Sequence, residues 1–162
     1  MSEKLFLSSE LSMKLDKIVN QLMEKLRPRF IILADITGQL LSSYLAKKDI
    51  DVTGLSALFA SNIGATKAIA EKLDQTASFD FILHEGKDMN IFLSKIEKSF
   101  LLAVVFKKTD QIGMVRLFTK KASEELQSLI KEYEEERPNA VKQVLGGEFS
   151  SKLADQLASI IN

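Results

Sequence analysis

Apolar positions along this chain follow two rhythms, a helical spacing and consecutive runs, and the switches between them mark out the elements. Leu11, Leu15, Ile18, Leu22 and Leu26 recur at helical spacing over residues 9–26, with Ser8 or Ser9 available as the N-cap. Pro28 disfavours helical geometry at Arg27, so the helix ends there. "RFIILAD" is an apolar run of strand length, "ITGQ" is a turn, and "LLSSYLA" is a second strand paired with the first. A second helix is predicted from about Val52 to Leu73. Beyond it, "FDFILH" and "MNIFLS" flank the turn "EGKD", and "FLLAVVF" follows a turn at "KIEK". Strands one and five are apolar on consecutive positions, which predicts a sheet covered by helices on both faces. A third helix starts near Asp110, with Val115, Phe118, Ala122, Leu126, Leu129 and Tyr133 as its buried stripe and "EYEEER" as a solvated end. The expected fold is α/β, a sandwich built on a five-stranded antiparallel sheet.

The second helix departs from the ordinary amphipathic pattern. At 100° per residue, Leu55, Leu58, Phe59, Ile69, Ala70 and Leu73 gather on one side, which reads as the core stripe. The opposite side should carry charge. It carries Ala57, Ala60, Ser61, Gly64 and Ala68, with Lys67 and Glu71 at its edge. A glycine inside a helix costs about 1 kcal/mol relative to alanine, and Gly64 has no capping purpose. A helix bare on its outer side lets another backbone come close. Three readings stand: burial under a loop of the same chain, packing against a second copy, or a platform for a different protein. The last two are compatible.

Composition shifts after the third helix. "PNAVKQVLGGE" reads as a tether. It leads to "FSSKLADQLASIIN", where Phe149, Leu153, Leu157 and Ile160 align on one face. A helix this short is marginal alone and needs a surface to dock on. The chain therefore divides into a domain over residues 1–137 and a linker with a C-terminal amphipathic helix over 138–162.

Charge and chemistry narrow the function classes. Lys plus Arg and Asp plus Glu both number 22, so the net charge is zero. That balance argues against a nucleic-acid binder and gives no support for adhesion to an anionic membrane. There is no cysteine, hence no disulfide, thiolate catalysis or thiolate metal site. No leader-like or membrane-spanning apolar run is present, so no membrane insertion and a cytoplasmic location are expected. Phosphate-binding and nucleophile-elbow motifs are absent. His84, the only histidine, precedes Glu85, but a working base needs an orienting third group, and the residue reads as part of an exposed hairpin. One imidazole without a second ligand at metal spacing makes no metal site. Asp35 and Asp88 read as turn residues. Arg116, in "GMVRLF", has the chemistry of an arginine finger, although nothing local separates it from a surface arginine. Neither cofactor nor catalytic residue is expected.

The order helix, two strands, helix, three strands, helix resembles the Roadblock (dynein light chain) superfamily, an α/β/α fold of small dimeric platforms for Ras-like GTPases. "TGQLLSS", "GLSALFASNIGATKAIAEKL", "HEGKDMNIFL" and "GMVRLFTKKASEEL" are similar, as an ordered set over roughly residues 8–135, to its bacterial polarity regulators of the MglB type. The resemblance implies a homodimer in which third strands pair edge to edge and second helices lie together. It implies a GTPase-activating protein for a Ras-like GTPase of the MglA type, in control of cell polarity or motility, that supplies no catalytic arginine and acts by positioning the GTPase's own residues. GTPase-binding positions then fall on Gly64 and Ala68, with Ala57, Ala60, Ser61 and Lys67 as neighbours. A further contact from the C-terminal helix falls on Phe149, Leu153 and Leu157. Ile63, bulky and near the platform's rim, stands either as an anchor for the partner or as part of the dimer seam. The alternative function is a Roadblock scaffold that anchors a GTPase or another complex without changing hydrolysis.

Overall fold

A computed structural model describes residues 8–136, together with 156 and 158–160. The elements run α1 (Ser9–Leu26), β1 (Phe30–Asp35), β2 (Leu40–Leu45), α2 (Val52–Leu73), β3 (Phe81–Glu85), β4 (Met89–Ile96), β5 (Phe100–Lys107) and α3 (Ile112–Glu136). The eight elements expected before the tether are all present and in the expected order. The five strands form one antiparallel sheet in the order β2-β1-β5-β4-β3. Residues 156 and 158–160 are helical and exposed. The tether and the expected contacts Phe149, Leu153 and Leu157 lie outside the described residues.

Local chemistry sets the boundaries. The Ser8 hydroxyl accepts from the Leu11 amide at 3.2 Å and caps α1. Arg27, left-handed at φ 47°, ends that helix before Pro28. In the β1–β2 turn the buried Asp35 carboxylate accepts from the Thr37 amide (2.8 Å), the Thr37 hydroxyl (2.6 Å) and the Gln39 amide (2.9 Å). The turn then passes through Gly38 at φ +93°. A Cβ on Gly38 would stand 2.8 Å from the Ala57 Cα, so this glycine lets the turn close onto α2.

The sheet separates two cores. On one face α1 and α3 bury Leu15, Leu22, Ile31, Leu33, Leu102, Phe106 and Leu126. The helices run antiparallel, since the Tyr133 hydroxyl donates to Ser8 at one end and Lys25 approaches the Phe118 ring at the other. On the opposite face α2 alone covers Phe30, Ile32, Ala34, Leu93, Leu101, Ala103 and Val105. All six residues of β1 and seven of the eight of β5 are buried, as strands covered on both faces must be. This is the three-layer α/β/α sandwich.

Candidate docking face on the second helix

Asp51 begins α2 by accepting from the Gly54 amide at 2.9 Å. The helix packs against β1, β2 and β5 through Ser56, Phe59, Ala60, Ile63 and Ala70. Ser56 is fully buried, and its hydroxyl donates to the Val52 carbonyl at 2.7 Å, so its burial leaves no donor unpaired.

The buried side differs from the one that periodicity picks. Leu58, Ile69 and Leu73, expected in the core, are 65%, 56% and 73% exposed. Ala60, expected on the bare side, is 8% exposed and lies in the core beneath the helix, so it forms no part of an outer face. Ile63 is buried likewise, which removes it from the rim. The reason is that α2 is apolar around most of its circumference. Spacing alone then gives two candidate stripes, and the one fitting close to the sheet is chosen by packing.

What remains outside is more apolar than expected. Ala57, Ser61, Gly64 and Ala68 are exposed, as the sequence indicated, and Leu58, Ala65, Ile69 and Leu73 join them. Lys67 is exposed and its ammonium lies 3.8 Å from Glu71, a solvated pair of small energetic worth. Leu58, Ile69 and Leu73 each have on the order of 1–2 kcal/mol of transfer free energy still to gain on burial. Around Gly64 nothing lies within 4 Å of where a Cβ would stand. The glycine therefore answers no constraint inside the described fold.

The face continues beside the helix. Because α2 lies over β1, β2 and β5, the β3–β4 half of this sheet face is left with Ile82 and Ile91 half-buried and His84 and Met89 exposed. Phe79, just before β3, is exposed as well. β3 is an end strand, hydrogen-bonded to β4 alone within the sheet. A helix with an apolar outer side thus stands next to an uncovered half-sheet and an unpaired strand edge. Combinations of this kind are common at protein-interaction surfaces.

The other candidates take plainer roles. The Arg116 guanidinium lies 4.3 Å from the centre of the Phe81 ring, on the α3 face of the sheet and across from α2. Among the described residues no group of three or more His, Cys, Asp or Glu side chains is placed to hold a metal, and no helix is long and apolar enough to cross a membrane. Asp35 is a turn residue, its carboxylate spent on three local donors.

Residues 14–106 match the Roadblock/LC7 domain family. Among solved structures, Myxococcus xanthus MglB is similar at 30% identity and TM-score 0.69, covering 74% of this chain and 96% of that one. The gliding protein MglB of Thermus thermophilus is similar at 29% identity and TM-score 0.71, with 78% and 95% covered. An MglB solved in a tetrameric arrangement is similar at 28% identity and TM-score 0.72, with 78% and 94% covered.

Proposed function

The chain belongs to the Roadblock/LC7 family, and from that premise we propose that it is a homodimeric GTPase-activating protein for a small Ras-like GTPase of the MglA type. The observation that carries the reading is the outer side of α2, where Ala57, Ser61, Gly64 and Ala68 form an exposed, uncharged surface with open space at the glycine. Such a surface admits another protein's backbone at close range, and Lys67 at its flank offers a charge for orientation. The larger exposed residues Leu58, Ile69 and Leu73, with the uncovered half-sheet and the β3 edge, suit a second copy of the chain whose own α2 lies alongside.

In this reading the protein has no active site of its own. Arg116, stacked on Phe81 on the other layer, is not a finger. The activator instead binds the GTPase conformation whose own groups are aligned for hydrolysis, which is catalysis by positioning and population shift. The similarity to MglB proteins, one of them named a gliding protein, supports a role in polarity or motility in the cytoplasm. The C-terminal segment over 138–162, outside the domain of residues 1–137, makes a second contact with the GTPase through Phe149, Leu153 and Leu157.

The test is single-turnover GTP hydrolysis by the MglA-type GTPase of the same genome, with and without this protein and with its Gly64→Arg variant. Acceleration by the wild type and not by the folded variant is the expected result. Binding without acceleration would make the protein a scaffold, and absence of binding would refute the reading.

A further inference from the structure

We propose that the C-terminal segment, residues 149–160, folds back antiparallel to α3 onto the cleft between α1 and α3 of its own chain, with Lys152 against Glu125. The docking stands on this chain alone, and only its consequence for the GTPase rests on the function proposed above.

The cleft lies on the layer opposite α2. Half-buried Ile18 of α1 and half-buried Phe118 of α3 form its apolar floor beside Leu22 and Ala122. Past Glu125 it continues toward the end of α3 over half-buried Leu129, walled by Glu124, Glu125 and Glu132. The three glutamates are exposed, and none has a cation within 4.0 Å among the described residues. At the other end Lys25 and Lys121 stand 6.0 and 5.8 Å from the centre of the Phe118 ring. The cleft is thus apolar along its floor, acidic on the α3 wall near Leu129 and basic around Phe118.

The segment fits that pattern in one direction. Phe149, Leu153, Leu157 and Ile160 share one face of a helix. Lys152 stands about 100° from Leu153, at the flank of that face, and Asp155 about 160° away, on the outer side. With the apolar face on the floor, a right-handed helix antiparallel to α3 turns Lys152 toward α3 and its glutamates. A parallel helix would turn it toward α1, away from them. Lengths agree as well. Phe149 to Ile160 is eleven residues (160 − 149), as is Phe118 to Leu129 (129 − 118), so Phe149 beside Leu129 brings Ile160 to Phe118. Because α3 ends at Glu136, Phe149 needs to return only about 10 Å along it, and the intervening residues 137–148 can span about 40 Å. Residue 156 and residues 158–160 are helical and exposed, Ile160 to 78%. They stand off the cleft, and the apolar face has still to be covered. A helix this short is marginal alone, but its tether offers it to the cleft at roughly millimolar effective concentration. Phe149, Leu153 and Leu157 are also the side chains assigned above to the GTPase. The two contacts exclude each other, so the GTPase must draw the segment out of the cleft.

Disulfide cross-linking in the full-length, cysteine-free chain tests the docking. Gln156→Cys with Lys121→Cys joins residues that meet in the docked form, and Gln156→Cys with Ser61→Cys, on the α2 layer, measures chance encounter. Circular dichroism checks that each variant is folded. The first pair is expected to oxidise within one chain at least about tenfold faster than the second. Adding Lys152→Glu slows it about three- to fivefold, and Glu125→Lys in the same chain restores it. Saturating GTPase lowers the rate to that of the control pair. Equal rates for the two pairs, or links formed only between chains, overturn the docking. A Lys152→Glu chain that links as fast as its parent overturns the charge pair and the direction drawn from it. Fast linking that persists with GTPase bound overturns the competition and leaves the docking standing. A GTPase that does not bind refutes the proposed function, while fast linking of the first pair still upholds the docking.

Discussion

Replacing Gly64 with alanine separates the demands of folding from the demands of a partner. Gly64 lies in the interior of α2, well away from both ends of Val52–Leu73, and a Cβ added there meets nothing within 4 Å. Neither clash nor unusual backbone geometry opposes the substitution. The helix gains the full propensity difference, about 0.8–1 kcal/mol, much of it from a less flexible unfolded chain. For a chain of 162 residues that corresponds to a rise in Tm of about 2–4 °C. Calorimetry at fixed protein concentration measures it, because a dimer's Tm also moves with concentration. The same methyl group stands where the GTPase backbone is proposed to approach, so affinity for the GTPase falls while stability rises. Gly38→Ala is the internal control. Its Cβ would stand 2.8 Å from the Ala57 Cα at φ +93°, so it lowers Tm. If Gly64→Ala lowers Tm or leaves it unchanged, Gly64 answers a constraint within the fold and the argument from open space fails.

Other outcomes follow from the same geometry. Leu58→Glu and Ile69→Glu leave the monomer's circular dichroism unchanged and abolish the dimer or the GTPase complex in sedimentation velocity, because both side chains are exposed in the single chain and lie on the face proposed to be covered on association. Asp35→Ala lowers unfolding free energy in urea by about 2–3 kcal/mol, since the buried carboxylate satisfies three donors of the β1–β2 turn; a change below about 0.5 kcal/mol would mean that the turn holds without it. Phe106→Ala costs about 3–5 kcal/mol by the same assay, as it empties a fully buried site between the sheet and its two-helix layer. Truncation after Ala140 leaves dimer affinity unchanged and alters GTPase affinity or nucleotide exchange; unchanged binding and exchange would remove the C-terminal segment from the mechanism.

The limits of α1 and α2 and the order of all eight elements were legible in the chain because each rests on local chemistry. Pro28 stops α1, Asp51 starts α2, and the apolar runs of β1 and β5 require cover on both sides. The presence of an uncharged outer side on α2 was legible too, from the want of Lys and Glu there. Its membership was not. Phe59 and Ala70, expected in the core, are there, but Ile63 competes with Leu58 and Ile69 for the rest of it, and hydrophobicity ranks them equally. The tertiary fold decides, because small Ser56 and Ala60 let that side close onto β1 and β5 while Leu58 and Ile69 are left outside. The role of Arg116 was equally hidden, since its ring partner Phe81 is 35 residues distant (116 − 81) and meets it only once α3 lies over the sheet. Sequence alone thus determined which elements form and that one helix has an outer side largely without charge. Which residues occupy that side, and which strand edge stands open beside it, depend on packing among distant segments, and only the folded molecule specifies them.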